Sequence, residues 1–140
     1  MITYVDTSSF LKLLIEETGS ELVGRMWDTA DALASVALVV VEARAALAAA
    51  ERGARLTAAE HVEAKAELSV LLDELTMVAI TDDLIAQAAE LADGEALRGY
   101  DAVHLAAAVT IGADVLTSAD SALCSAAERR GLHVANPLGR

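Results

Sequence analysis

Apolar residues occur along the chain in two patterns, short uninterrupted runs and longer stretches with helical spacing. The short runs predict strands at 2–5, 32–36, 77–80 and 114–117, with a fifth candidate strand at 132–134. The longer stretches predict helices at 10–15, 20–27, 38–52, 57–75, 82–92, 100–111 and 120–130. Strands that alternate with helices are typical of a parallel sheet. The pattern therefore predicts an α/β fold whose sheet is covered by helices on both faces.

The two longest predicted helices are delimited by their own end signals. Gly53 follows the first of them at the position of a C-cap. Thr57 and Glu60 have the spacing of a capping box, in which each side chain accepts from the other residue's backbone amide. The short connection between these helices predicts an antiparallel helical hairpin over residues 38–75.

The composition indicates one folded domain spanning residues 1–140. Hydrophobic residues make up 55% of the chain and the mean hydropathy is +0.44, which excludes intrinsic disorder. Cys124 is the single cysteine, so it is interpreted as a buried structural thiol without a disulfide partner. The uncharged stretches 32–41 and 102–113 are too short to span a bilayer, and no export signal is recognised. These features predict a cytoplasmic protein with no membrane partner.

Acidic residues outnumber basic ones, with 22 Asp and Glu against 10 Lys and Arg and a net charge of −12. This charge excludes a protein that binds duplex DNA through a broad basic face. Contact with nucleic acid therefore has to be local. The candidate RNA contacts are Lys12, Arg44 and Arg98, assisted by bound cations.

Four acidic residues are candidates for a functional site. In a parallel sheet the crevice lies beyond the carboxyl ends of the strands, and Asp6, Glu42, Asp101 and Asp120 follow predicted strands or open the helices beyond them. Any one of them alone is explained as a helix cap or as a partner of the helix dipole. Apolar neighbours surround the first three, however, and an unpaired charge in such a setting is costly.

Positive charge must balance these acids. Arg44 and Arg98 are close to two of them in sequence. Carboxylates that converge from distant parts of the chain are more naturally balanced by a hard divalent cation, Mg²⁺ or Mn²⁺, which takes oxygen ligands. Such a cluster hydrolyses phosphodiesters, because the metal activates a water molecule and neutralises charge on the leaving oxygen.

Four ordered motifs over nearly the whole chain resemble those of PIN-domain ribonucleases, in particular VapC-type toxins of bacterial toxin–antitoxin pairs. The motifs are Tyr4-Val5-Asp6-Thr7-Ser8, Val41-Glu42-Ala43-Arg44, Tyr100-Asp101-Ala102-Val103-His104-Leu105-Ala106 and Leu116-Thr117-Ser118-Ala119-Asp120. The resemblance implies a three-layer α/β/α sandwich with a central parallel sheet of four to five strands and a protruding helical hairpin. It also implies endonucleolytic cleavage of structured RNA such as tRNA or ribosomal RNA, with translation and growth inhibited as a result.

The same resemblance implies a cofactor and partners. Mg²⁺, which Mn²⁺ can replace, would be bound mainly by Asp6 and Asp101, with Glu42 and Asp120 as secondary or water-mediated ligands. A VapB-type antitoxin would place its C-terminal segment beside the hairpin, and the toxin would form a homodimer and a larger toxin–antitoxin assembly. Many relatives carry a further acid where this chain has Ser121 and Ala122, so the number of metal ions stays open.

Several other side chains accompany these motifs. Four hydroxyls could hydrogen-bond the carboxylates or a metal-bound water, those of Thr7, Ser8, Thr117 and Ser118, although hydroxyls at such junctions are often caps. Thr7 and Thr117 are the two expected to support the site. His104 lies one helical turn after Asp101, where a hydrogen-bonded structural role is favoured over direct chemistry.

Two other functions are consistent with parts of the sequence. A phosphatase of the haloacid-dehalogenase type also places an Asp after its first strand, but it has a second Asp two residues later, where this chain has Ser8. A catalytically inactive PIN-like module would bind a partner protein without turnover. The presence of all four acids favours the nuclease over the inactive module, and Ser8 counts against the phosphatase.

Overall fold

The computed structural model describes residues 1–139, and its centre is one five-stranded sheet. The strands are β1 Ile2–Val5, β2 Ala32–Val36, β3 Thr76–Val78, β4 Val115–Thr117 and β5 His133–Ala135. They lie in the order β3-β2-β1-β4-β5, and every neighbouring pair is parallel. The predicted parallel sheet is therefore confirmed, and the fifth candidate strand belongs to it.

Seven α-helices connect or follow the strands within residues 1–139: α1 Thr7–Phe10, α2 Ser20–Thr29, α3 Leu38–Arg52, α4 Ala58–Leu72, α5 Asp82–Glu95, α6 Gly99–Thr110 and α7 Ser121–Arg129. The helix predicted at 10–15 is wrong in extent. α1 begins earlier, because the Asp6 carboxylate accepts from the Ser9 amide at 3.1 Å and caps the helix, and a 3₁₀ turn at Leu11–Leu13 follows.

Side chains alternate between the two faces of the sheet and create two separate cores. Tyr4 of β1 belongs to the core formed with α5, α6 and α7, whereas the next residue, Val5, belongs to the core formed with α1, α2, α3 and α4. In β3, likewise, Val78 packs against the first of these cores and Met77 packs against the second. The sheet is therefore the middle layer of a three-layer α/β/α sandwich, as expected.

The predicted hairpin consists of α3 and α4. Leu47 of α3 and Leu68 of α4 are buried in one core cluster. The capping box of Thr57 and Glu60 is confirmed, with reciprocal hydrogen bonds of 2.8 and 3.1 Å at the start of α4. No helix within residues 1–139 is long and apolar enough to cross a membrane.

The register aligns the carboxyl ends of the central strands. Val5 of β1 pairs with Thr117 of β4, which in turn pairs with Ala135 of β5. The Asp6 amide donates to the Thr117 carbonyl at 3.1 Å, so the chain leaves both strands at the same edge. The residues after these strands consequently form the floor of a crevice at that edge.

Candidate active site

Asp6 is the most deeply buried of the four predicted acids, with 4% of its surface exposed. Its Oδ1 accepts from the Ser8 hydroxyl at 2.7 Å and from the Ser9 amide at 3.1 Å, and its Oδ2 accepts from the Ser118 hydroxyl at 2.9 Å. Burial raises the pKa of Asp6, although the nearby His104 and these hydrogen bonds oppose that rise. The carboxylate is thus satisfied by neutral donors, but no cation contacts it among the described residues.

Glu42 lies on α3, and its described hydrogen bonds all involve one oxygen. Oε1 accepts from the Thr7 hydroxyl at 2.7 Å and lies 2.7 Å from Nε2 of His104. Burial acts to raise the pKa of Glu42, but the hydrogen bonds from His104 and Thr7 outweigh it and hold the pKa below its ordinary value. Glu42 is therefore held ionised and fixed in orientation.

His104 connects Glu42 to the interior of the protein. It is 2% exposed, and its Nδ1 lies 2.8 Å from the Tyr4 hydroxyl, which is fully buried. Burial raises the pKa of Tyr4 well above its ordinary value, so the phenol keeps its proton and can donate to Nδ1. Nε2 can then carry the imidazole proton and donate to Glu42. His104 is thus hydrogen-bonded on both ring nitrogens, and its contact with Glu42 fixes the orientation of that carboxylate.

Asp101 and Asp120 share one arginine. Asp101 lies in the first turn of α6, and Asp120 is the N-cap of α7, where its Oδ1 accepts from the Leu123 amide at 2.9 Å. Arg98 donates from Nε to Oδ2 of Asp101 at 3.0 Å and from Nη2 to Oδ2 of Asp120 at 3.0 Å. The hydrogen bond to Asp101 and the charges of both carboxylates raise the pKa of Arg98.

The contacts among these residues bring the four acids to one edge of the sheet. The Ser118 hydroxyl donates to Asp6 and accepts from the Asp120 amide at 3.0 Å, which links these two acids. Glu42 and Asp101 line one cavity of about 460 Å³ together with Arg98. Acids that are up to 114 positions apart in the chain (120 − 6) therefore border the same crevice.

The spacing of the four acids bears on whether they could hold a metal ion. Within residues 1–139 no three acidic, histidine or cysteine side chains are grouped closely enough to hold an ion as they stand. The donor chemistry nevertheless fits Mg²⁺ or Mn²⁺, because all four acids supply hard oxygen ligands. A cation, the guanidinium of Arg98, already bridges Asp101 and Asp120. Binding of an ion by the Oδ2 atoms of Asp101 and Asp120 would therefore require the Arg98 side chain to rearrange.

Comparison with known proteins identifies the family. The PIN-domain family model matches residues 3–129, a segment that contains all four acids. Ribonuclease VapC49 of Mycobacterium tuberculosis is 41% identical over 136 residues, which cover 96% of this chain and 94% of the relative. The chain belongs to the PIN-domain family, in its VapC group.

Solved structures of PIN-domain toxins share the fold at lower sequence identity. The crystal structure of M. tuberculosis VapC20, described as a sarcin-ricin loop cleaving toxin, superposes with a TM-score of 0.68 at 22% identity, covering 89% of this chain and 94% of that one. VapBC2 of Rickettsia felis, solved with a DNA fragment from its promoter, gives a TM-score of 0.66 at 12% identity, covering 97% and 98%. These matches support the PIN fold and leave the phosphatase alternative without support.

The supporting residues of this PIN domain differ partly from those predicted. Thr7 contacts Glu42 as expected, but the Thr117 hydroxyl pairs with the Ser9 hydroxyl at 2.9 Å. Ser8 and Ser118 instead bond the Asp6 carboxylate directly. Their positions beside two motif acids indicated hydrogen-bonding capacity, but the sequence did not show which hydroxyl would reach which carboxylate.

The three candidate RNA contacts have different environments. Arg44 is exposed on α3, and the Arg98 side chain is 77% exposed at the crevice. Lys12 is only 7% exposed, and its Nζ donates to Oε1 of Glu17 at 3.0 Å. The expectation that Lys12 contacts RNA is therefore withdrawn, because a buried and paired ammonium cannot reach a phosphate without losing both its partner and its packing.

Cys124 is buried as the sequence indicated. Its thiol donates to the Ser118 carbonyl at 3.3 Å. Burial and the negative charges of Asp6 and Asp120 raise its pKa to about 11. The thiol therefore stays protonated at neutral pH and is not a nucleophile.

Proposed function

We propose that this VapC-type PIN domain is the Mg²⁺-dependent endoribonuclease toxin of a toxin–antitoxin pair. It would cleave structured RNA, tRNA or ribosomal RNA, in the cytoplasm and so inhibit translation and growth. The observation that carries the proposal is the convergence of Asp6, Glu42, Asp101 and Asp120 at one crevice. The ribonuclease VapC49, at 41% identity, supports the same activity.

Asp6 and Asp101 would be the main ligands of the metal ion, and Glu42 and Asp120 would complete the site. When bound, the ion lowers the pKa of a coordinated water molecule and neutralises charge on the leaving oxygen. The described hydrogen bonds of Glu42 use Oε1, which leaves Oε2 to accept a hydrogen bond from the attacking water. Thr7 and His104 hold that carboxylate in place, so the Glu42 side chain is already oriented before the reaction begins.

Local cations would position the RNA. Arg98 lies at the crevice and Arg44 lies two residues after Glu42 on α3, and both side chains are exposed. A guanidinium binds phosphate through paired hydrogen bonds, so two such groups can orient a strand despite a net charge of −12. Recognition would then depend on the shape of the RNA and on its unpaired bases.

The first experiment is cleavage of total bacterial RNA by the antitoxin-free protein. Discrete fragments are expected with Mg²⁺ or Mn²⁺, and none with EDTA. Asp101→Asn should reduce cleavage on the order of 10³-fold, because it removes a proposed metal ligand. Asp83→Asn changes an exposed carboxylate in the first turn of α5 and should cleave like the wild type.

Two results would contradict the nuclease. Cleavage that persists in EDTA would refute metal dependence, and equal cleavage by Asp101→Asn would refute the site. Absence of cleavage from folded wild-type protein, over a panel of tRNA and ribosomal RNA, would instead favour the catalytically inactive binding module.

The proposed partner is a VapB-type antitoxin, and its proposed binding site is an apolar groove beside the crevice. The groove has a volume of about 530 Å³ and is lined by Thr7, Leu38, Val41, Glu42, Ala45, Ala46 and Tyr100. Because it adjoins the carboxylates, an apolar segment that ends in a basic residue would fit both surfaces. A homodimer and a larger toxin–antitoxin assembly belong to the same proposal.

Val41→Asp is expected to weaken antitoxin binding at least tenfold, since it places a charge on the apolar wall of the groove. Val70→Asp is the matched control, because Val70 on α4 is 63% exposed and Val41 is 61% exposed, but only Val41 lines the groove. Calorimetric titration with the antitoxin encoded beside the gene measures both. Equal affinities for the two variants would place the antitoxin elsewhere.

A further inference from the structure

Arg98 bridges two acids that come from separate elements of the fold. Its Nε contacts Oδ2 of Asp101 on α6, and its Nη2 contacts Oδ2 of Asp120 at the start of α7, both at 3.0 Å. The two acids are nineteen positions apart (120 − 101). A single guanidinium therefore holds together the ends of two helices at the crevice.

The atoms that Arg98 engages are proposed ligand atoms. A guanidinium and a divalent ion both require carboxylate lone pairs, and an oxygen that accepts from Nε or Nη2 has less capacity to bind a metal. The two cations also repel each other at short distance. A metal ion bound through these Oδ2 atoms would thus compete with the two Arg98 contacts.

The arginine is free to leave this position. Its side chain is 77% exposed, and Arg98 precedes α6 as an N-cap residue whose side chain makes no capping hydrogen bond. Exposed ion pairs contribute little to stability and a long side chain regains rotamer freedom on release. Moving Arg98 therefore does not require a change in the backbone.

We propose that Arg98 is a built-in competitor of the catalytic metal ion for Oδ2 of Asp101 and of Asp120, and that it is displaced from at least one of these atoms when the ion binds. The proposal rests on the proposed function, because it concerns the metal of that same site. In the metal-free protein Arg98 offsets the repulsion between Asp101 and Asp120. In the metal-loaded protein the released guanidinium lies at the rim of the crevice, where an RNA phosphate can become its partner.

The test is calorimetric titration of Mn²⁺ into the antitoxin-free protein and its variants. Arg98→Ala is expected to bind Mn²⁺ about tenfold more tightly than the wild type, since two contacts no longer compete and a nearby positive charge is gone. Arg98→Lys keeps the charge but lacks the planar fork that reaches both carboxylates, so its affinity should lie between the two.

Two control variants separate competition from a general charge effect. Arg44→Ala removes the same charge from an exposed arginine two residues after Glu42, and Arg130→Ala removes one that pairs with Glu95. Both should change Mn²⁺ affinity less than threefold, because neither residue contacts the crevice acids. In an Asp120→Asn background, the gain from Arg98→Ala should shrink, since one of the contested carboxylates is absent.

Thermal melting supplies a readout that does not depend on activity. In EDTA, Arg98→Ala should melt slightly below the wild type, because Asp101 and Asp120 lose their shared, exposed counter-ion. With Mn²⁺ in place of EDTA, the melting temperature of Arg98→Ala should rise more than that of the wild type.

Equal or weaker Mn²⁺ binding by Arg98→Ala would overturn the inference and leave the proposed function intact. An equal gain in Arg44→Ala would also overturn it, by reducing the effect to net charge. Failure of the wild type and of every variant to bind Mn²⁺ would instead refute the metal dependence in the proposed function, and the competition with it.

Discussion

Replacing Asp6 by asparagine is expected to abolish RNA cleavage and to make the metal-free protein more stable. Cleavage should fall on the order of 10³-fold, because the substitution removes the charge of a proposed main ligand. Stability in EDTA at pH 7 should rise by about 1 kcal/mol, because the carboxylate is 4% exposed and has no cationic partner among the described residues. Denaturant unfolding and the RNA assay measure the two effects on the same protein.

The stability that Asp6→Asn gains over the wild type depends on pH, and the pKa of Asp6 gives the direction of that dependence. The pKa of Asp6 is raised in the folded protein, so between the unfolded and folded pKa values the native state binds more protons. The stability of the metal-free wild type therefore falls as the pH rises through that interval. Asp6→Asn lacks this loss, and its advantage should narrow as the pH is lowered from 7 towards 4.

Glu42→Gln is the matched comparison, and its effect on stability should have the opposite sign. Hydrogen bonds from His104 and Thr7 favour the ionised form of Glu42 and lower its pKa. Glu42 therefore stabilises the fold above its unfolded pKa, and that contribution is lost as the pH falls through its folded pKa. A stabilised Glu42→Gln, or a destabilised Asp6→Asn at pH 7, would contradict this view of the site.

Truncation of His104 is expected to have the largest effect on stability, with a loss of about 3 kcal/mol for His104→Ala. The substitution leaves a cavity at a 2% exposed position and removes a hydrogen-bond partner from both Tyr4 and Glu42. Urea unfolding at pH 7 checks the magnitude. Tyr4→Phe removes only the buried hydroxyl and should cost about 1 kcal/mol.

His104 should also affect catalysis as a positioning residue. His104→Gln keeps a donor for Glu42, so it should retain more activity than His104→Leu, in which kcat falls about 10- to 100-fold with KM little changed. His133→Ala changes an exposed histidine and is the control. Equal kcat values in the Gln and Leu variants, at temperatures where both are folded, would show that the hydrogen bond to Glu42 does not position the carboxylate.

Local signals in the sequence were sufficient for most of the fold. Alternation of short apolar runs with helical stretches predicted the strands, because strand and helix periodicities depend on neighbouring residues alone. Thr57 and Glu60 predicted the start of α4 for the same reason, since a capping box is complete within four residues. The early start of α1 was missed, because apolar spacing begins at Phe10 whereas the cap is the site residue Asp6.

The sequence also indicated which acids to consider, and it could not show how each is held. Strand ends identified Asp6 and Asp120, and a helix start identified Asp101, because both features can be read locally. Their partners come from other parts of the chain: Ser118 bonds Asp6 across 112 positions, and His104 bonds Glu42 across 62. Such pairs depend on strand order and register.

By itself, then, the sequence determined the α/β class, the parallel sheet, the helical hairpin and the acids at the crevice, since each follows from periodicity, caps or motifs within short segments. Only the tertiary structure decided that Lys12 is buried against Glu17 and that Arg98 bridges Asp101 and Asp120. A charged side chain takes whichever partner the folded backbone brings within reach, and that distance is set by the packing of whole elements.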